Sequence, residues 1–329
     1  DYLKLRASYG RAGWDDISYE LDRQYWAWGG AYWFGDANRI SPEAPVPVVR
    51  VVRSEDRLGG AANVALNIAS LGAQTQLLSV IGCDEAGETV ERILHENNIT
   101  PHLHRDPGIK TTVKLRIVAR QQQMLRADFE SRPTTEVLAN HLSAYESIIS
   151  DSDVIVLSDY GKGGLNHITK MIELARAKNI PIMIDPKGSC YDRYRGATLI
   201  TPNRAELAQV VGDWESEEEL TQKAQALRQK LDLAAILLTR SEEGMTLYTE
   251  DGQTSVPAQA REVFDVSGAG DTVIGVMATM VAMGKTLQDA MRIANRAGGI
   301  VVGKLGTATV SFEELFSDGY EELSLEINK

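Results

Sequence analysis

Cysteine is nearly absent. Cys83 and Cys190 stand alone in 329 residues, with no metal-type spacing and no disulfide framework, which suits a reducing, cytoplasmic setting. Histidine is scarce as well. His102 and His104 alternate on a strand-like stretch with His95 nearby, and no acidic partner sits at ligand spacing, so no histidine metal site is expected. Long apolar runs are also missing. The longest, Val273 to Met283, falls well short of the roughly 20 residues that span a bilayer and reads as a buried helix. The start shows no basic segment followed by an apolar one, so no secretory signal is expected. Positive charge is in deficit too. With 34 Lys and Arg against 46 Asp and Glu the formal net charge is −12, so the surface as a whole repels nucleic acid and anionic membrane. A phosphorylated substrate would need a local basic cluster.

What is present is enough apolar residue, 43%, for a large core in one big α/β domain or two smaller ones. The stretch that organises the chain is Asp265-Val266-Ser267-Gly268-Ala269-Gly270-Asp271-Thr272, which runs straight into the apolar segment at Val273. Small residues let backbone N–H groups crowd together, and a helix starting there makes an anion site from those groups and its dipole. Asp271 would sit within that site, where a carboxylate makes sense as a general base beside a transferring phosphoryl group. An Asp N-cap on a buried helix gives the same pattern.

From Val154 onward the chain repeats a βα unit. Continuous apolar strands at Val154 to Leu157, Ile182 to Ile184, Thr198 to Ile200 and Ala234 to Leu238 alternate with helical stretches. That predicts a mostly parallel sheet covered by helices on both faces. The polar clusters Ser158 to Gly163, Asp185 to Gly188, Thr201 to Glu206 and Thr239 to Gly244 all follow strand C-termini, where open α/β sheets bind ligands. Upstream, Gly59-Gly60-Ala61-Ala62-Asn63 opens a helical stretch that ends at Gly72, with Asn63 and Asn67 on one face. Between residues 111 and 120, Val113, Leu115 and Ile117 alternate with Lys114, Arg116 and, further on, Arg120. This predicts a strand with one basic face, more often a solvated face than an anion contact. Asn203 and Glu206 share a helix start, where an amide and a carboxylate can orient Mg²⁺ and its waters, or simply favour the helix end. Gly298 to Lys304 matches most of a Walker A loop, but Leu305 replaces the required Ser or Thr and the intervening residues are not loop formers. Residues 1–38 hold all the Trp but one and show no period, and residues 1–31 are expected to be irregular.

The Gly59 to Asn63 and Asp265 to Thr272 segments resemble the two signatures of ribokinase-like (PfkB) sugar kinases, and Asn203-x-x-Glu206 resembles that family's magnesium and nucleotide motif. The resemblance runs from about Tyr32 to about Ser311. Arg39 to Val48, the Ser158 to Gly163 loop, Ile184 to Gly188, Tyr194 to Thr198 and Val301 to Thr307 narrow it to members acting on a heptose phosphate. It implies a single ribokinase-like domain over 1–329 with a β lid from about 39–56 and 110–130, often also a dimer surface, hence a homodimer through the lid. It also implies ATP-dependent phosphorylation of the C1 hydroxyl of D-glycero-β-D-manno-heptose 7-phosphate, in ADP-heptose and lipopolysaccharide-core synthesis.

By that resemblance Asp271 is the general base, with Gly268, Ala269 and Gly270 N–H groups as the anion hole. Asn203 and Glu206 serve Mg²⁺ and phosphates, Glu206 through water. Thr239, Ser241, Gly244 and Asn295 line the ATP site, and Gly59, Gly60, Asn63 and Asp185 the sugar site. Asp265, Ser267 and Gly306 lie where many relatives bind a monovalent cation such as K⁺. The deficit of positive charge then leaves Arg116, Arg120, Lys162 and Lys187 as candidates for the sugar's phosphate. The family pattern of an apolar strand followed by Gly-Asp is missing before Tyr32, where Gly30-Ala31 stand instead. Alternatives are a kinase of another sugar or a nucleoside, or a silent sugar-nucleotide sensor.

Overall fold

The computed structural model describes residues 2–8, 18–24, 27–119, 122–131, 135–160, 165, 167–259 and 263–317. In chain order the first elements are β1 (Tyr2–Ser8), β2 (Ser18–Gln24), β3 (Ala27–Ile40), β4 (Pro47–Gly60), α1 (Ala61–Ala69), β5 (Gln74–Gly82), α2 (Glu85–Glu96) and β6 (Ile99–Asp106). Then come β7 (Val113–Ala119), β8 (Gln122–Phe129), α3 (Thr135–Ile148), β9 (Val154–Ser158), α4 (Ile168–Ala177), β10 (Ile182–Asp185) and β11 (Leu199–Ile200). The chain continues with α5 (Arg204–Val211), α6 (Glu217–Lys230), β12 (Ala235–Thr239), β13 (Met245–Thr249) and β14 (Gly252–Val256). It closes with α7 (Ala269–Ala282), α8 (Leu287–Val301) and α9 (Phe312–Phe316).

Strands β9 to β12 are short, apolar and parallel to one another, and they sit inside a ten-stranded sheet of order β14-β13-β12-β11-β10-β9-β1-β2-β5-β6. Because side chains alternate along a strand, each feeds both faces. Val154, Val156, Met183, Leu199, Ala235 and Leu237 enter one core with α1, α2, α7, α8 and α9. Ile155, Leu157, Ile182, Ile184, Ile236 and Leu238 enter the other with α3 to α6. Truncating such a residue to Ala typically costs about 2–5 kcal/mol, so neither face can be left bare. The strand C-termini are thereby fixed along one edge. The Walker-like glycines are absorbed here, Gly298 and Gly299 lying inside α8.

A second, four-stranded sheet has the order β4-β3-β7-β8 and contains most of residues 39–56 and 110–130. Its register sets Trp33 beside Ile117 and Leu125 on one face, and Tyr32 beside Glu55, Arg116 and Arg126 on the other. The first face leaves Trp33, Leu125 and Phe129 exposed to water at 40%, 56% and 54%. Tyr32 on the opposite face is buried. The stretch 1–31, expected to be irregular, contributes β1, β2 and the start of β3. β1 and β2 fill the slot between β5 and β9, so their pairing comes from neighbouring strands and leaves no period to read in the sequence. Among the described residues no helix is long and apolar enough to cross a membrane.

Candidate active site

α7 begins at Gly268, whose φ of 80° is one that L side chains rarely adopt. A Cβ there would stand 2.7 Å from Asn63 Nδ2, so glycine is required for space as well. No side chain caps this helix. Of the three N–H groups expected to form an anion hole, that of Ala269 donates to the Val266 carbonyl at 3.2 Å, while among the described residues those of Gly268 and Gly270 meet no backbone acceptor. Asp271, in the first turn, is held at both oxygens. Asn63 Nδ2 donates to Oδ2 at 2.9 Å and the Tyr160 hydroxyl donates to Oδ1 at 3.1 Å.

Asn63 is itself fixed from below. Asn67 Nδ2 donates to the Asn63 carbonyl at 2.8 Å, and Thr272 Oγ1 donates to Asn67 Oδ1 at 2.9 Å. The two asparagines therefore tie α1 to α7 and aim Asn63 at Asp271. Behind the helix start, Asp265 accepts from the N–H groups of Ser267 (2.9 Å) and Gly306 (3.0 Å), joining the two loops expected near a monovalent cation. Gly306 has a φ of 73°, and a Cβ on it would meet Arg57 Nη1 at 2.3 Å. Arg57 donates to the Leu305 carbonyl at 2.7 Å, so the smaller sheet rests on this loop.

Two cavities meet on α7. The first, about 300 Å³, lies beneath the smaller sheet and is lined by Gly59, Gly60, Asp185 and Asp271, with Lys114 and Arg116 from β7. The second, about 620 Å³, is lined by Ser241, Gly244, Ala269 and Asn295. Asn203, Thr239, Gly270 and Val273 line both. The structure thus gathers the expected sugar, base and nucleotide residues around one junction, with Asp271 on the sugar side. In the second cavity Asn295 is oriented by donating to the Pro257 carbonyl at 2.8 Å.

The start of α5 is built differently. Asn203 Oδ1 accepts from the Glu206 N–H at 2.9 Å and Glu206 Oε2 accepts from the Asn203 N–H at 3.1 Å, a reciprocal capping box. Lys187 Nζ donates to Glu206 Oε1 at 2.8 Å, and that bond raises the Lys187 pKa.

The basic candidates separate. Arg116 lines the first cavity, so the basic face of β7 meets a cleft and not bulk solvent. Lys187 is paired with Glu206 and is not among the residues lining that cavity. Arg120 and Lys162 lie outside the described residues. Sequence reasoning missed Tyr160, Tyr32 and Lys114 as site residues. Tyr160 follows β9 in a loop already marked by its position, and Lys114 shares the parity of Arg116. Tyr32 is a lid residue whose ring lies between the guanidinium groups of Arg57 (4.8 Å) and Arg116 (5.3 Å).

The pfkB family carbohydrate kinase model matches residues 32–314. A D-beta-D-heptose 7-phosphate kinase of Bordetella bronchiseptica (strain ATCC BAA-588 / NCTC 13252 / RB50) is 55% identical over 284 residues, covering 86% of this chain and 91% of that protein. The bifunctional protein HldE of Histophilus somni (strain 129Pt) is 52% identical over 285 residues, and this chain matches 60% of its length. Among solved structures, phosphofructokinase-2 from Escherichia coli in complex with substrates and products superposes with a TM-score of 0.76 at 18% identity, over 93% of this chain and 99% of that one. Arabidopsis thaliana ribokinase complexed with ribose and ATP gives 0.70 at 16% identity, over 94% and 98%. At such identities these two speak for the fold, which is ribokinase-like. On the match over residues 32–314 and the 55% identity, the chain belongs to the pfkB family of carbohydrate kinases.

Proposed function

We propose that this kinase transfers the γ-phosphoryl group of ATP to the anomeric hydroxyl of D-glycero-β-D-manno-heptose 7-phosphate, in ADP-heptose and lipopolysaccharide-core synthesis. The observation that carries the reading is Asp271, oriented by Asn63 and Tyr160 inside an uncapped helix start where a sugar-sized and a nucleotide-sized cavity meet. The substrate is taken from the 55% identical Bordetella bronchiseptica kinase.

Asp271 takes the proton as the sugar oxygen attacks the γ-phosphorus, the bond from that phosphorus to the β–γ bridging oxygen breaks, and ADP leaves. The N–H groups of Gly268 and Gly270 and the α7 dipole face the charge on the transferring oxygens, an arrangement that needs no rearrangement during the reaction. Asn203 and Glu206 suit Mg²⁺, being hard oxygen donors at one helix start, with Asn203 on the wall shared by both cavities and Glu206 on that of the first. Both Glu206 oxygens already accept a hydrogen bond, so the ion would be met through water. When bound, it neutralises charge on the phosphates. Lys114 and Arg116 would hold the 7-phosphate across the first cavity from Asp271. The apolar outer face of the lid sheet supports a homodimer, the loops at Asp265, Ser267 and Gly306 support a K⁺ site, and the scarcity of cysteine supports a cytoplasmic setting.

ADP release from Mg-ATP across a panel of sugars and sugar phosphates tests the reading. Hydrogen bonds to charged groups contribute about 1.5–3 kcal/mol each, so heptose 7-phosphate should exceed the unphosphorylated heptose about 100-fold or more in kcat/KM. Equal efficiency would assign the chain to a plain sugar kinase, and no release with any sugar would leave a silent binder.

A further inference from the structure

Lys187 was one of four candidates for holding the substrate phosphate, and the fold pairs it with Glu206. Its backbone is anchored. The Lys187 N–H donates to the Tyr194 hydroxyl at 3.0 Å, and that hydroxyl lies 2.8 Å from Asp159 Oδ2, which Arg193 approaches at 3.3 Å. Tyr194 is fully buried, and burial first, then the Asp159 charge, pushes its phenol above the ordinary range, so it stays a neutral hydrogen-bonding post. The side chain is the opposite. The Lys187 side chain is 50% exposed, while that of its partner Glu206 is 13% exposed. A fixed stem with an exposed head can release its carboxylate by rotating its own torsions, without disturbing either core.

Glu206 needs a cation. A carboxylate largely withdrawn from water is costly without a compensating charge, and the helix start supplies only a partial one. On the reading of Glu206 as the metal-side carboxylate, we infer that Lys187 is a resident stand-in for the divalent ion. Its ammonium neutralises and orients Glu206 when the metal is away and yields the carboxylate's free lone pairs to the hydrated ion when the metal arrives. Lys187 is then a positioning residue for metal entry, and the sign of its effect is diagnostic. A permanent strut between the β10 loop and α5 would support metal binding, so losing it would weaken the metal. A stand-in competes with the metal, so losing it tightens the metal.

The test is Mn²⁺ binding in the presence of ADP, read from the electron paramagnetic resonance signal of free Mn²⁺. Half-exposed ion pairs are weak, so Lys187→Met should lower the Mn²⁺ Kd about two- to five-fold. Lys187→Arg should raise it, because a guanidinium grips a carboxylate in a bidentate manner. In a Glu206→Gln background, Lys187→Met should bring no further tightening. An unchanged or raised Kd in Lys187→Met overturns the inference. Separately, wild-type Mn²⁺ affinity in Glu206→Gln would overturn the metal role of Glu206 on which it rests.

Discussion

Two helices present their N-termini to the same cleft, and they are finished in opposite ways. α5 closes on itself, with Asn203 and Glu206 exchanging hydrogen bonds and Lys187 adding a cation. α7 is left open, with a left-handed glycine at its entry and no capping side chain. Its first-turn carboxylate, Asp271, accepts hydrogen bonds from the Asn63 amide and the Tyr160 hydroxyl. Helix ends ordinarily gain from capping, so an uncapped end facing a cavity is stability given up in favour of a ligand. In this reading the charged and capped end would orient, and the open end would bind and react. On the proposed function, that division suits one carboxylate to serve as a base and the other to attend a metal.

Substitutions at the two ends should therefore differ in kind. The largest effect is expected at the open end. Asp271→Asn keeps size but removes the proton acceptor, and kcat should fall about 10²–10⁴-fold with ADP affinity nearly unchanged. Steady-state kinetics and nucleotide titration check this, and near wild-type turnover would remove the base assignment. Gly268→Ala comes next. It forces a side chain into φ 80° and against Asn63 Nδ2, costing about 1–2 kcal/mol of stability and, by moving Asn63 off Asp271, roughly tenfold in kcat. A variant with both urea stability and turnover intact would mean that the entry geometry is not needed. Asn203→Ala at the capped end should be mildest in rate and visible in stability, about 1 kcal/mol in urea denaturation. Its turnover should recover as Mg²⁺ is raised. A kcat loss as large as that of Asp271→Asn, unrelieved by metal, would erase the distinction between the two ends.

Much of this was legible in the sequence, for identifiable reasons. The strands from Val154 to Thr239 are buried on both faces, so their apolar runs stand out, and the polar loops after them mark the ligand edge. The start of α7 was readable from its small residues, but the same pattern also fits an Asp N-cap, and only the fold shows that no side chain caps it. The i, i+4 spacing put Asn63 and Asn67 on one helix face, but their partners Asp271 and Thr272 lie 208 and 205 residues away, beyond any local pattern. The partner of Lys187 was hidden for the same reason. The lysine's loop was right, while the carboxylate it meets belongs to a helix that only the fold brings to 2.8 Å. Alternation in β7 identified a basic face, and only the pairing Tyr32 with Arg116 turned that face toward the cleft. The N-terminal strands were not legible because their partners, and not their own residues, define them.

The proposed chemistry is tested most directly by the product. After incubation of the chain with Mg-ATP and D-glycero-β-D-manno-heptose 7-phosphate, phosphorus NMR should show a second sugar phosphate whose resonance couples to the anomeric proton. A new phosphate coupled to any other ring proton, or ADP released with no new sugar phosphate, would contradict transfer to the anomeric hydroxyl.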